Sequence, residues 1–226
     1  MSDWTTEAVR CPACGTEQVR TLFKSLNGVL LPHYVEAIAA GLFELTECTC
    51  GHRFQPEHRM LLSHLPLGEW VVMYPWAERG DALSIEADVL TTFGREFSQP
   101  PKALEGRVET VRPRLVFGQC MLAEAVRLIG MGLDASCVEA AKLLWVRRHL
   151  AQVMAFGPAL LCIEEPSLTG FTCSVRALED GAIVGSVDLP QDTINEALTT
   201  RAQLRTFAPL LFDRPYVSAA TYLYPV

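Results

Sequence analysis

Two short cysteine pairs carry the strongest chemical signal in the chain, Cys11-Pro12-Ala13-Cys14-Gly15 and Cys48-Thr49-Cys50-Gly51. Closely spaced thiolates serve as metal ligands or as redox dithiols. In Cys-x-x-Cys-Gly the chain wraps a tight turn whose backbone N–H groups point at sulfur, and the glycine accepts a positive φ that a Cβ would resist. One such turn offers two ligands, whereas a structural zinc site takes four. Cys48 and Cys50 complete the set, so Zn2+ held by Cys11, Cys14, Cys48 and Cys50 is expected, serving architecture alone. The second pair is one residue tighter than the first, which keeps His52 as a substitute ligand. Four thiolates around a dication leave the site negative, and Arg10 or Arg53 could offset that charge.

The rival reading is a Cys11–Cys14 redox couple. Such motifs normally follow a strand and open a helix, whereas the segment after Gly15, Thr16 to Thr21, favours extended structure. Other candidates are weaker. Cys120 falls at the expected start of a helix, where the dipole lowers a thiol pKa, with His149 as the nearest base; a buried core thiol is the simpler reading. Cys137, Cys162 and Cys173 read as small buried hydrophobes. His58 and His64 share strand parity and offer a second metal site, against two solvated histidines. Glu164-Glu165 and Glu179-Asp180 read as turn acids. No phosphate-cradling glycine loop and no Gly-x-Ser-x-Gly elbow occurs.

The elements that must position these residues follow from periodicity and punctuation. Glu17 to Phe23 is expected as a strand, Pro32 to Ala40 as a short helix opened by proline and closed by Gly41. Arg59 to Leu65 and Trp70 to Tyr74 flank a turn at Pro66-Leu67-Gly68-Glu69. Asp81 to Phe97 reads as a helix ended by Ser98-Gln99-Pro100-Pro101, and Arg79 to Arg107 is the best candidate for a linker or mobile lobe. Arg114 to Phe117 reads as a strand feeding a helix through Gly118. Leu122, Ala125, Val126 and Ile129 line one helix face. Asp134 caps a second helix with Cys137, Ala140, Ala141 and Leu144 on its apolar face and Glu139, Lys142, Arg147 and Arg148 largely elsewhere. These form a helical hairpin at about 119–152. Ala159 to Glu164, Phe171 to Leu178 and Ala182 to Asp188 are antiparallel strands, the last two joined across Glu179-Asp180-Gly181, and a C-terminal helix follows Pro190. The aromatic tail from Tyr216 is either an interface or a final core element.

The chain has 226 residues, 50% hydrophobic and 20% charged, which excludes a disordered or collagen-like protein. Its net charge of −7 disfavours a phosphate-binding surface. The positive charge is nearly all arginine, 16 against 3 lysines, and concentrates between Arg107 and Arg148. Nucleic-acid binding through Arg107, Arg112, Arg114, Arg127, Arg147 and Arg148 is therefore the second function class. No secretory leader and no membrane span is expected, which places the chain in the cytoplasm, where disulfides are rare.

The Cys-Pro-x-Cys-Gly motif at residues 11–15, the second pair before Gly51, and Leu133-Asp134 heading a helix with Glu139 and Lys142 together resemble a bacterial family, the CpXC-domain proteins. The resemblance covers roughly residues 9 to 150. It implies a zinc-ribbon-like arrangement in which Cys11, Cys14, Cys48 and Cys50 are the metal ligands, and it carries no activity with it. The shortened second pair is where this chain departs from the pattern. The expected fold is α+β, with a zinc-ribbon-like β lobe at residues 1–77 packed on a mixed lobe at 78–226 that holds the helical hairpin and an antiparallel sheet. Chemistry at a closed four-ligand centre is not expected. Function then falls to surfaces, with a protein partner for a non-enzymatic binding or adaptor module.

Overall fold

The computed structural model describes residues 2–98, 106 and 108–224 of a mixed α+β chain. Two compact units divide it, residues 1–126 and 127–226. The first contains β1 (Asp3–Arg10), β2 (Glu17–Asn27), α1 (Pro32–Ala39), β3 (Thr46–Glu47), β4 (Arg53–Phe54), β5 (Met60–His64), β6 (Glu69–Tyr74), α2 (Ala82–Phe97) and β7 (Arg112–Phe117). The division falls within α3 (Gly118–Gly130).

A five-stranded mixed sheet runs in the order β1-β2-β5-β6-β7. β1 and β2 are antiparallel, as are β5 and β6, while β2 with β5 and β6 with β7 are parallel. Period-2 alternation buries Leu22 and Leu26 of β2 and Met60 and Leu62 of β5, and these join Val71, Met73, Leu115 and Phe117 in the core. The small hairpin of β3 and β4 stands apart as a two-stranded sheet. α1 begins at Pro32 and ends as the glycine predicted: Gly41 has φ 68°, and the Leu42 N–H reaches back to the Ala37 carbonyl at 2.8 Å.

The expected boundary near residue 77 falls inside this unit, because β6 before it and β7 after it pair from Glu69–Arg112 to Tyr74–Phe117. Residues 79–98 do not behave as a linker. α2 buries Ile85 and Val89, Phe93 meets Trp70 at 5.4 Å between ring centroids, and Trp70 Nε1–H donates to Glu96. Of the expected break, Gln99, Pro100 and Pro101 lie outside the described residues, as does Arg107.

The second unit holds α4 (Ala135–Arg148), α5 (Leu150–Met154), β8 (Ala159–Ser167), β9 (Gly170–Ala177), β10 (Ile183–Pro190), α6 (Gln191–Thr199), α7 (Arg201–Phe207), α8 (Leu210–Asp213) and α9 (Ala220–Leu223). Its sheet is antiparallel in the order β10-β9-β8. The Asp-Gly turn sits where it was expected: Gly181 has φ 74°, and Ala182 N–H donates to Asp180 Oδ1 at 2.9 Å. Among the described residues four short helices, rather than one, follow Pro190. Among the described residues no helix is long and apolar enough to cross a membrane.

Asp134 caps α4 by accepting the Cys137 N–H at 3.0 Å. Asp134→Ala is expected to cost about 1 kcal/mol of the second unit's stability, read from urea denaturation, since an N-cap satisfies one otherwise orphaned amide. The expectation that α4 keeps its charges off the buried face needs correction. Cys137, Ala140 and Ala141 are buried as the spacing implied, but so are Glu139 at 7% and Lys142 at 1% exposure. The two form an i, i+3 ion pair, and the second Glu139 oxygen accepts the Ala219 N–H at 2.7 Å. That bond docks the tail, where Tyr216, Ser218, Ala219 and Ala220 are buried. The tail is thus a core element here, with Tyr222 Oη accepting the Leu210 N–H at 2.8 Å.

Candidate metal centre

Each cysteine pair occupies the tip of a β-hairpin. The first lies between β1 and β2, whose register closes on Arg10–Glu17, and the second lies between β3 and β4, closed by Glu47–Arg53. In the first tip Cys11 N–H donates to the Thr16 carbonyl and Gly15 N–H to the Cys11 carbonyl, both at 2.9 Å. In the second, Cys48 N–H donates to the His52 carbonyl and Gly51 N–H to the Cys48 carbonyl, both at 2.8 Å. Gly15 at φ 72° and Gly51 at φ 83° both take the left-handed conformation. The missing residue of Cys-x-Cys is absorbed by a shorter turn, and the same hydrogen-bonded pattern survives.

The two tips bring the Sγ atoms of Cys11, Cys14, Cys48 and Cys50 within 4.8 Å of one another. Cys11 Sγ is 3.9 Å from Cys50 Sγ, and Cys14 Sγ is 3.6 Å from Cys48 Sγ. A tetrahedron with metal–sulfur bonds of about 2.3 Å has edges of about 3.8 Å, so both cross-tip distances match what a four-coordinate ion requires. They are far beyond a disulfide bond of about 2.05 Å. Each tip offers one buried thiol, Cys11 or Cys48, and one exposed thiol, Cys14 or Cys50. These four cysteines can hold a metal ion.

Electrostatics point the same way. The Thr16 hydroxyl, the Thr16 backbone and the neighbouring Cys50 and Cys48 thiols hold Cys14 down at a pKa of about 6. A backbone bond from Cys50 lowers Cys48 despite desolvation. At Cys50 the backbone bond from His52 favours the thiolate, yet the Cys14 thiol, desolvation and the Cys48 and Cys11 thiols outweigh it and push the group up to about 11. Sulfurs this close cannot all ionise against one another, and a dication at their centre removes the conflict. Arg10 lies over the first tip, its Nε–H donating to the Gly15 carbonyl at 3.1 Å.

A family model described as CpXC protein matches residues 9–142. The chain belongs to the CpXC family. The matched span contains both hairpin tips and ends at Lys142, the buried partner of Glu139 in α4. Comparison with curated proteins and with solved structures gives no match.

The remaining candidates of this CpXC chain are dispersed. His52 is not among the clustered ligand atoms; it is exposed and stacks on Phe54 at 6.2 Å between centroids. His58 and His64 form no cluster of metal-ligating groups among the described residues; His58 is paired with Glu44 at 2.6 Å. His149 is committed to the end of α4, with Nδ1 2.9 Å from the Trp145 carbonyl oxygen and its ring stacked on Trp145. Glu164 is more than a turn acid. Burial opposes its ionisation, but the Ser174 hydroxyl and the Arg176 and Arg127 guanidiniums hold it below the usual carboxylate range.

The basic residues are largely spoken for. Arg112 donates to the Glu109 carbonyl at 2.7 Å, Arg114 faces Glu69 at 3.8 Å, Arg127 pairs with Glu164 at 3.1 Å, and Arg148 grips Glu196 through two nitrogens. Arg147 lies over the Phe207 ring at 4.9 Å. Sequence reasoning missed one residue of interest, Glu44, whose φ of 53° and buried carboxylate leave no trace in composition or spacing.

Proposed function

We propose that the chain is a non-enzymatic protein built on a structural zinc centre and that it acts as a protein-binding or adaptor module. Four sulfurs at tetrahedral spacing favour zinc over the harder divalent ions. A centre closed by four protein ligands has no position for water or substrate, which supports an architectural role. The eight cysteines, none of them in a disulfide, suit a reducing compartment such as the cytoplasm.

The observation that carries the binding reading is the outer face of the β1–β2 hairpin. Trp4, Thr6 and Ala8 stand opposite Phe23, Thr21 and Val19 and share one face. Trp4 is 59% and Val19 66% exposed. On the same face Phe23 is half-buried, meeting Trp4 at 6.2 Å and Tyr34 at 4.8 Å between centroids. An exposed tryptophan beside an exposed valine on a strand face is a composition that protein interfaces favour. The nucleic-acid reading is weaker, because Arg114, Arg127 and Arg148 face carboxylates of the chain itself. The thiol-redox reading is weaker as well, because β2, and not a helix, follows the first pair.

The test is Trp4→Glu, a change at an exposed site. Wild type purified from its native host is expected to bring down a partner at stoichiometric amounts, and the variant to lose that partner while keeping its metal content and circular dichroism. A partner retained by the variant would remove the hairpin face as the binding site.

A further inference from the structure

Residues 44 and 58 bracket the segment that carries Cys48 and Cys50. Glu44 is the one non-glycine residue with positive φ among the described residues, at 53°, a conformation that side chains with a Cβ resist. Its carbonyl accepts the Thr46 hydroxyl at 3.1 Å, and its carboxylate, 7% exposed, is held at both oxygens. One oxygen accepts the Phe23 N–H of β2 at 2.8 Å, and the other lies 2.6 Å from His58 Nε2. The second ring nitrogen of His58, Nδ1, faces the Arg59 carbonyl oxygen at 3.2 Å. A carboxylate and a carbonyl only accept, so the ring serves both as an imidazolium with a proton on each nitrogen. A second tie closes the same base, Gln55 Nε2–H to the Phe43 carbonyl at 2.8 Å.

We propose that the Glu44–His58 ion pair is a proton-dependent clip that holds the second cysteine hairpin against β2 in the register needed for metal capture, with Glu44 and His58 as positioning residues. This rests on the metal reading of the four cysteines. The clip ties the base of the Cys48–Cys50 hairpin to β2, the strand that leaves the Cys11–Cys14 turn, so both halves of the ligand set share one anchor.

The charged groups that face His58 are Glu44 and, more remotely, Glu7 of β1; Arg59 contributes its carbonyl oxygen. Burial disfavours the imidazolium, but the Glu44 hydrogen bond, the Glu44 charge, the Arg59 carbonyl and Glu7 together raise the His58 pKa above its ordinary value. A raised folded-state pKa means that the clip contributes in full below the ordinary histidine pKa of about 6.5 and is lost as pH climbs through the raised value. The thiol ligands run the other way, binding metal more strongly as they lose protons. The two contributions are therefore separable by pH.

The experiment uses the full chain with Co2+ as the probe, reading the thiolate-to-cobalt absorption under chelator competition from pH 6 to pH 8.5. His58→Gln is neutral throughout and is expected to hold Co2+ about tenfold more weakly than wild type at pH 6, the scale of one charge-assisted hydrogen bond. The difference should shrink toward pH 8.5. Glu44→Gln, which keeps an acceptor for Phe23, should behave the same way, and the double variant should lose no more than either single one. Should His58→Gln fail to fold, nitrogen NMR of the wild-type imidazole decides: protons on both ring nitrogens at pH 7 support the clip, and a pKa at or below about 6.5 overturns it. Wild type without the cobalt–thiolate band overturns the metal reading and the clip together. Wild type with the band, and variants offset equally at every pH or not at all, overturns the clip alone.

Discussion

Purified wild type is expected to carry about one zinc ion per chain, and Cys11→Ser to carry almost none and to lose the fold of its N-terminal region. The expected size follows from two scales. Structural zinc sites in small peptides bind with an apparent free energy of about 10–16 kcal/mol, whereas a whole domain is held by about 5–15 kcal/mol. Removing the ion thus costs as much as the domain has. The cysteines should not be equivalent. Cys11 and Cys48 are 1% and 3% exposed, so serine there loses a ligand and buries a hydroxyl as well; Cys14 and Cys50 are exposed, and serine there loses only the ligand. Elemental analysis paired with far-UV circular dichroism should rank Cys11→Ser and Cys48→Ser as more damaging than Cys14→Ser and Cys50→Ser. Iron in place of zinc would sink the choice of metal, and an apoprotein that keeps its full signal after chelation would sink the structural role.

Lys142→Met should destabilise the C-terminal unit by about 3–5 kcal/mol, the cost of leaving a buried charge without its counter-ion. Lys142 is 1% exposed and its ammonium meets Glu139, whose other oxygen holds the Ala219 N–H. Replacing both members by apolar residues, Glu139→Leu with Lys142→Met, should recover much of that loss, because no lone charge remains. Recovery should stop short of wild type, since the Ala219 N–H would keep its burial and lose its acceptor, at about 1–3 kcal/mol. Urea denaturation of the two singles and the double measures this coupling directly. A Lys142→Met loss under about 1 kcal/mol would show that the pair is hydrated in solution.

The clustering of the four cysteines was the most legible part of the sequence because its information is local. Two cysteine pairs, each followed by a glycine, mark two turns, and Gly15 took the backbone conformation that its position implied; Gly51 takes the same one. The hairpin at Asp180-Gly181 and the cap at Asp134 were readable for the same reason. The parts that escaped depend on distant partners. Glu139 and Lys142 looked like the polar side of an amphipathic helix, and nothing within a helical turn reveals that residue 219 returns to cover them. Pairing between β6 and β7 spans the stretch taken for a boundary, and parallel pairing across about 40 residues has no local signature. Glu44 is a third case, since the partners of its carboxylate, Phe23 and His58, are distant in the chain.

The bond between Glu139 and Ala219 also bears on how the polypeptide is made. A ribosome releases α4 well before residue 219, so during synthesis the nascent helix presents an acid whose final amide does not yet exist. The second unit therefore cannot close before residue 219 has emerged, and chains cut short of it should be marked for proteolysis by the same helix whose Glu139 and Lys142 are buried in the finished molecule.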